Sequence, residues 1–309
     1  MRKYPKGRVT EIADDGEKLL LFGGLPHEYL RGWEITSDLK LAEKKLGVRF
    51  EEVSTEDLAT RHKELDDSEL TKAKELAKQL TNEASKHGGA KPLAQAEIEE
   101  ATKLYVAMKD ILEERGADAV TIVCSPWIRG AESPVPCIAL TLLQEEGIPA
   151  ACQGDIDAFL TMVLFKRASG LTSFMGGGIK ARGHLGINHC VMSRKMLGPE
   201  ALRQTYYLSD YHSRKKSPTI HTTIPEGQTV TVARLTRNLE SLILTSGEVV
   251  ENQDQKDRCR NTVVIKVKDR VRVLRAVKGV QQHFVLACGD LRNAMTRLAK
   301  EASIGVIAL

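Results

Sequence analysis

A strand, a helix and a second strand follow in close succession between residues 118 and 155. DAVTIVCSPW (118–127) is an apolar run typical of a buried strand, VPCIALTLLQEEG (135–147) is a helical run that ends in glycine, and IPAACQGD (148–155) is apolar again. Parallel strands need a helical crossover of this kind, because a tight turn joins only antiparallel strands. The segment therefore predicts an α/β domain built on a parallel sheet.

Flanking segments extend this domain toward the N-terminus. VRFEEVS predicts a strand, and leucine and alanine at helical spacing predict several helices. The DDGE turn predicts a β-hairpin within residues 8–24, ahead of the domain. The expected helices cover 36–46, 68–87 with Ser68 as N-cap, 92–115, and the apolar segment that begins at Asp155.

Short alternating runs replace the helices beyond residue 170. TVTVARL, SLILTSGEVV, NTVVIKVK and QHFVLACGD are rich in β-branched residues, which predicts strands of an antiparallel barrel or sandwich. LRNAMTRLAKEASI predicts a closing helix. The chain thus divides into an N-terminal hairpin or extension (1–35), an α/β domain (36–170) and a β-rich, barrel-like domain (171–309).

Composition sets the broad class of protein. A length of 309 residues suggests two domains, and 42% hydrophobic with 28% charged residues is ordinary for a globular chain. The chain has no apolar run of roughly 18 residues, and its start lacks the apolar stretch of a secretory signal. We therefore expect a cytoplasmic protein without a membrane partner. A net charge of +4 does not predict nucleic-acid binding, and six cysteines without a CxxC pair predict reduced thiols.

Two loops at the ends of the predicted parallel strands are the first places to look for a site, because α/β sheets bind ligands there. They are 124–137, which contains Trp127, and 150–157. The second loop carries Gln153, Asp155 and Asp157 just before a helix. Asp155 has two possible roles that can coexist: a carboxylate of the site and the N-cap of that helix.

Later segments add histidines, glycines and positive charges. The glycine-rich run 173–190 ends near His189, and His283 opens a predicted strand; each histidine is a ligand or an ordinary core residue. The glycines fit neither the P-loop nor the dinucleotide fingerprint, so a phosphate cradle is a weak alternative. In the basic region 256–278, cations alternate with β-branched residues, which predicts one charged strand face, either solvated or anion-binding.

The order of several of these segments resembles the L-fucose/L-arabinose isomerase superfamily of metal-dependent sugar isomerases. The segments are DAVTIVCSPW, VPCIALTLLQEEGIPAACQGDIDAFLTMVLFKRASG, NHC at 188–190, TVTVARLTR with LTSGEVVE, and QHFVLACGDLRNAMTRLA. The resemblance implies an α/β domain followed by a β-rich C-terminal domain, with the family's first α/β domain absent. It also implies a homo-oligomer whose sites lie near subunit interfaces.

The resemblance implies a chemistry as well. Family members interconvert aldoses and ketoses through an enediol, usually with manganese. A carboxylate suits the proton transfer between C1 and C2, and a divalent cation stabilises the enediolate. His283 and His189 would then be ligands of Mn²⁺ or another divalent ion, Asp155 the candidate base, and Trp127, Asp157 and His189 the substrate contacts.

This sequence departs from the family at both catalytic carboxylates. Gln153 stands where the family has a glutamate, and glycines 176–178 follow the Phe-Met pair where its second acidic residue falls. One hypothesis is a divergent isomerase of a pentose or 6-deoxyhexose, with Gln153 in the catalytic loop. The alternative is a non-catalytic sugar-binding or assembly partner. Anion or nucleic-acid binding through the basic region is a third hypothesis.

Overall fold

The computed structural model contains a parallel sheet with helices and a second, mostly antiparallel sheet. The described residues are 16–24, 37–84, 93–124, 134–198, 201–211, 214–255, 258–276 and 283–309. No helix in these ranges is both long and apolar enough to cross a membrane.

The first sheet has four parallel strands, which are β1 (Glu17–Phe22), β2 (Val48–Val53), β3 (Ala119–Ile122) and β4 (Ala150–Cys152). Their order in the sheet is β2-β1-β3-β4. The helices that connect and follow them are α1 (Leu39–Leu46), α2 (Thr55–Lys63), α3 (Asp67–Glu83), α4 (Gln95–Arg115), α5 (Cys137–Glu145) and α6 (Ile156–Ser169). The parallel α/β arrangement predicted from the strand–helix–strand segment is confirmed.

Two local predictions at the N-terminal side differ from the structure. The N-cap of α3 is Asp66 rather than Ser68, because Asp66 and Glu69 form a reciprocal capping box. Strand β1 pairs in parallel with β2 on one edge and with β3 on the other. No hydrogen-bonding edge of residues 19–22 is left for a hairpin partner, and residues 1–15 of the predicted hairpin lie outside the described ranges.

The second sheet is built from the residues after α6. The elements of this part are β5 (Phe174–Ala181), β6 (His184–His189), β7 (Tyr206–Tyr211), β8 (Arg214–Thr222), β9 (Thr229–Leu235), β10 (Ser241–Asp254), β11 (Asn261–Val267), α7 (Arg270–Ala276), β12 (His283–Cys288), α8 (Arg292–Glu301) and β13 (Gly305–Ala308).

The second sheet closes into a barrel in the order β11-β6-β5-β12-β9-β10. The long strand β10 closes it, since its first half pairs with β9 and its second half with β11. Strand β13 pairs in parallel with the start of β10, and β7 and β8 form a separate hairpin. The barrel prediction is confirmed.

Helix α6 joins the two sheets. It follows β4 in the parallel sheet and packs against β9 and β12 of the barrel. Residues alternate between the faces of a strand, so Val230 and Val232 fill the barrel interior while Ala233 and Leu235 belong to the core shared with α6. The Leu235 N–H also donates to Thr161 Oγ1 of α6 at 3.0 Å. The start of α6 is therefore held against the mouth of the barrel.

The glycine-rich run forms the β5–β6 hairpin, and its glycines serve close packing rather than a phosphate cradle. A Cβ atom at Gly176 would lie 2.8 Å from the carbonyl oxygen of Asn188, and one at Gly178 would lie 2.6 Å from the Phe284 ring. Both distances are too short for a side chain. The glycines are needed because neighbouring strands and side chains approach the backbone closely.

The prediction of one charged strand face over 256–278 is wrong. Strand β11 ends at Val267, and the alternating sequence after it begins helix α7 at Arg270. Arg260 is buried and forms ion pairs with Asp210 and Asp254. The cations therefore lie on elements with different directions, and one of them is neutralised within the fold.

Candidate active site

Asp155 lies at the carboxyl end of β4 and begins α6. Its Oδ1 accepts a hydrogen bond from the Ala158 N–H at 3.0 Å, so the N-cap reading is confirmed. The side chain is nevertheless more than a cap, because it also faces the barrel. Arg234 Nη1 donates to Oδ2 at 2.8 Å and Nη2 donates to Oδ1 at 3.0 Å, which makes a two-point ion pair.

Two histidines complete this part of the site. His283 Nδ1 lies 2.9 Å from Asp155 Oδ2, and Nδ1 carries the proton of this bond because a carboxylate only accepts. The main-chain oxygen of His283 accepts from Arg234 Nη1 at 2.8 Å. His189, at the end of β6, packs edge-on against the His283 ring with 5.5 Å between ring centroids. The barrel thus supplies an arginine and one imidazole to the Asp155 carboxylate, and the second imidazole packs against the first.

Asp157, in the first turn of α6, is the second carboxylate of the site. Ser37 Oγ donates to its Oδ1. Arg234 Nη2 lies 3.8 Å from its Oδ2, and within the described ranges no donor reaches that oxygen at hydrogen-bond distance. We call Asp155, Asp157, Arg234, His189 and His283 the buried polar cluster. Its exposure ranges from 0% at Asp157 and Arg234 to 8% at His283.

The two carboxyl groups have opposite pKa shifts. Burial by itself would raise the pKa of Asp155, but the charge of Arg234 and the hydrogen bond from His283 outweigh it and hold this pKa below its usual range. Burial raises the pKa of Asp157 to about 7, and the negative charge of Asp155 adds to the rise. Near neutral pH, one carboxyl is therefore ionised and the other can gain or lose a proton.

The residues singled out from the sequence separate into three groups. The structure brings Asp155, Asp157, His189 and His283 together, although they lie far apart in the sequence. Gln153 is exposed, in a turn where its φ of 63° is left-handed, and it makes no contact with the cluster that the structure records. Trp127 lies outside the described residues.

Sequence reasoning missed Arg234 and Ser37. A signal for Arg234 existed, since an arginine at a buried position of the apolar strand TVTVARL requires a buried partner charge. Nothing comparable marked Ser37. It reaches Asp157 only because α1 and α6 pack on the same sheet.

The described residues do not fit the divalent cation that the resemblance implies. Both oxygens of Asp155 already accept hydrogen bonds, and a guanidinium lies within 3.0 Å of them. His283 directs Nδ1 at the same carboxylate. Within the described ranges, no three side chains of histidine, cysteine, aspartate or glutamate are arranged to hold a metal ion. Arg234 supplies positive charge where a metal would need free anionic oxygens.

Comparisons with known proteins agree with the sequence resemblance at a coarse level. No protein-family model matches the chain. The chain is 24% identical over 300 residues to a sulfoquinovose isomerase of Clostridium sp. (strain MSTE9). The alignment covers 91% of this chain and 62% of that protein, so the chain spans less than two thirds of its relative's length. The relative is a sugar isomerase, and the particular superfamily stays a prediction.

Proposed function

We propose that this chain is a sugar isomerase-like protein that moves a proton between C1 and C2 of an aldose or ketose at the buried polar cluster. The observation that carries the proposal is the pair of carboxyl groups on one helix start, Asp155 and Asp157, with pKa values shifted in opposite directions. Two neighbouring titratable groups whose pKa values are shifted apart are typical of acid–base catalytic sites. The similarity to a sugar isomerase supports the same class of reaction.

His283 is the best placed group for the carbon-bound proton. Asp155 holds the Nδ1 proton of His283, which leaves Nε2 as the acceptor of the neutral ring. Asp155 itself is a poor base, since its two oxygens face a guanidinium and two further donors. We therefore assign Asp155, the candidate base from the sequence, to positioning His283 and Arg234, and we assign proton transfer to His283 Nε2.

Asp157 and Arg234 complete the chemistry. Ser37 donates to Oδ1 of Asp157, so the acid proton resides on Oδ2, where it can be exchanged with a sugar hydroxyl. A pKa of about 7 lets this group act in both directions near neutral pH. Arg234 places a fixed positive charge beside both carboxyl groups, where it would stabilise the negative charge of an enediolate.

The test is isomerisation in D₂O with pentoses, 6-deoxyhexoses and sulfoquinovose. We expect ketose formation with solvent deuterium at C1, because a proton carried by His283 exchanges with water. His283→Gln should lower turnover by roughly 10²-fold or more, the usual contribution of a general base. His184→Gln is the matched control: His184 is a half-buried histidine at the other end of β6, and its substitution should leave turnover unchanged.

A second function, sugar binding without turnover, is favoured by the exposed Gln153 and by the low exposure of the whole cluster. Isothermal titration with the same sugars separates the two functions. Heat of binding without ketose formation would support a binding or assembly partner and would contradict the isomerase proposal. Size-exclusion chromatography alone and with a full-length relative would then show whether the chain joins an oligomer.

A further inference from the structure

Five of the six cysteines meet at the junction of the parallel sheet and the barrel, although no two of them are close in sequence. We call Cys124, Cys137, Cys152, Cys190 and Cys259 the thiol cluster. All five belong to, or pack against, one hydrophobic core, and none of them forms a disulfide. Cys190 is hydrogen-bonded to both Cys137 and Cys259. Cys288 stays apart from them, in the barrel interior.

Cys124 and Cys152 form a hydrogen-bonded pair within this cluster. Cys152 ends β4, and Cys124 lies two residues beyond the end of β3, the neighbouring strand, in which Ile122 is the register partner of Cys152. Cys152 Sγ donates to Cys124 Sγ at 3.5 Å. Joining the sulfurs at about 2.05 Å needs a shift of roughly 1.5 Å.

The two thiols differ in a way that suits a nucleophile and a resolving partner. Cys124 accepts the hydrogen bond of Cys152 and another from the Gln153 N–H. These bonds lower the pKa of the Cys124 thiol although its burial opposes the change. The pKa of Cys152 is raised, first because it is the donor in the shared bond and second because it is buried. Cys124 is therefore the sulfur that reacts as a thiolate.

We propose that Cys124 and Cys152 form an oxidation-sensitive dithiol, a modification site that hydrogen peroxide converts to an intramolecular disulfide. The Cys124 thiolate attacks one peroxide oxygen, the O–O bond breaks, and the departing hydroxide takes a proton to become water. The Cys152 sulfur then attacks the resulting sulfenic sulfur, the S–O bond breaks, and the Cys152 proton leaves with the hydroxide as a second water. Two thiols are oxidised and one peroxide is reduced.

The test is peroxide treatment of the folded protein, followed by thiol titration and peptide mapping without reductant. We expect the loss of two of the six thiols and a peptide that joins Cys124 to Cys152, with both thiols restored by dithiothreitol. Cys152→Ala should form no such link. It also removes the first of the bonds that lower the Cys124 pKa, but the Gln153 N–H bond remains, so dimedone should still trap a sulfenic acid at Cys124, formed more slowly than the wild-type disulfide. Cys288→Ala, which removes a buried thiol outside the cluster, should behave like the wild type.

Peptide mapping of the oxidised wild-type protein tests the proposal even if an alanine variant fails to fold. Cys124 and Cys152 that stay reduced while other thiols oxidise would overturn the proposal. A link among Cys137, Cys190 and Cys259 in place of the expected one would overturn it equally. Oxidation of the two thiols does not depend on isomerase activity, so a protein that turns over no sugar can still form the disulfide.

Discussion

Among the described residues, Arg234–Asp155 and Arg194–Glu145 are arginine–carboxylate pairs in which both partners are buried, and their surroundings differ. Arg234 meets Asp155 at the junction of α6 and the barrel, and Arg194 meets Glu145 at the end of α5, with Nε and Nη2 at 2.5 and 2.7 Å from the carboxylate oxygens. Both arginines are almost completely buried. In each case the geometry is that of a two-point ion pair.

The neighbours of the Arg194–Glu145 pair are a tyrosine ring and two further charged side chains. Arg194 lies over the Tyr206 ring at 4.4 Å, and Glu83 lies 3.7 Å from its Nη1. Arg203, which is partly exposed, pairs with the same two carboxylates at 3.6 and 3.8 Å. The charges here balance and face a cleft near the surface.

The Arg234–Asp155 pair instead adjoins two histidines and Asp157, whose pKa is about 7. A buried ion pair is by itself weak evidence of function. A proton acceptor and a second carboxyl with a shifted pKa make the difference between a structural pair and a candidate active site.

The largest effect expected is that of Asp155→Asn. The substitution removes the negative charge that balances Arg234, and it places an amide N–H₂ group against donors that now share a single acceptor oxygen: the Arg234 guanidinium, His283 Nδ1 and the Ala158 N–H. The free energy of unfolding should therefore fall by about 3–5 kcal/mol. Urea denaturation at pH 7 measures the loss, and turnover at low temperature should fall as well. A variant as stable as the wild type would show that this pair does not organise the site.

The next largest effect is the pH dependence of protein stability that Asp157 contributes. Native Asp157 holds its proton up to about pH 7, whereas the unfolded chain releases it near the ordinary pKa of an aspartate, 3.8. The native state therefore binds more protons between these values, and stability falls as the pH rises through this window, by on the order of 4 kcal/mol. Asp157→Asn should abolish this slope in denaturation curves recorded from pH 4 to pH 8.

The contribution of Asp155 has the opposite sign and a separate window. Its pKa is lowered in the native state, so its stabilisation is complete above the unfolded value and is lost as the pH falls below it. The slope that Asp157→Asn removes should thus lie above pH 4, while the acid limb below pH 4 persists. A wild-type protein with no slope between pH 4 and pH 7 would contradict the raised pKa of Asp157.

A smaller decrease in the free energy of unfolding is expected for Glu145→Gln. The amide keeps one acceptor for Arg194, and Glu83 and the Tyr206 ring remain beside the guanidinium. We expect a destabilisation of about 1.5–3 kcal/mol, the usual value for hydrogen bonds to charged groups. Turnover of correctly folded protein should not change. Equal effects of Glu145→Gln and Asp155→Asn on turnover would remove the distinction between the two pairs.

The smallest effect expected is that of Ser37→Ala. Its hydroxyl donates to Asp157 and lowers the pKa of that group, so the variant should raise this pKa further. A hydrogen bond of this kind contributes about 1 kcal/mol, which corresponds to a shift of up to about one pKa unit. NMR titration of the Asp157 carboxyl measures the shift. Thr71→Ala, which removes an exposed hydroxyl on α3, is the control.

The local hydrophobic pattern of the sequence was sufficient to predict the parallel sheet and the barrel. The apolar runs before and after α5 predicted parallel strands, and the alternating runs after residue 170 predicted the barrel, because each element carries its burial pattern in its own residues. The pattern was less reliable where several neighbouring side chains can cap one helix and where one run of residues fits two periodicities. Ser68 lies two residues after the observed N-cap of α3, Asp66, and the alternating residues after β11 belong to helix α7.

The sequence by itself determined the strands, the helices and the candidate carboxylates and histidines, because side-chain periodicity and loop position are local properties. Only the tertiary structure decided that Arg234 occupies the space beside Asp155, that Ser37 reaches Asp157, and that five separated cysteines meet. The Arg234–Asp155 and Ser37–Asp157 contacts join residues 79 and 120 positions apart, and the Cys152–Cys124 contact joins residues 28 positions apart. These contacts depend on how the parallel sheet, α6 and the barrel pack together, and packing between separate elements leaves no periodic pattern in the sequence.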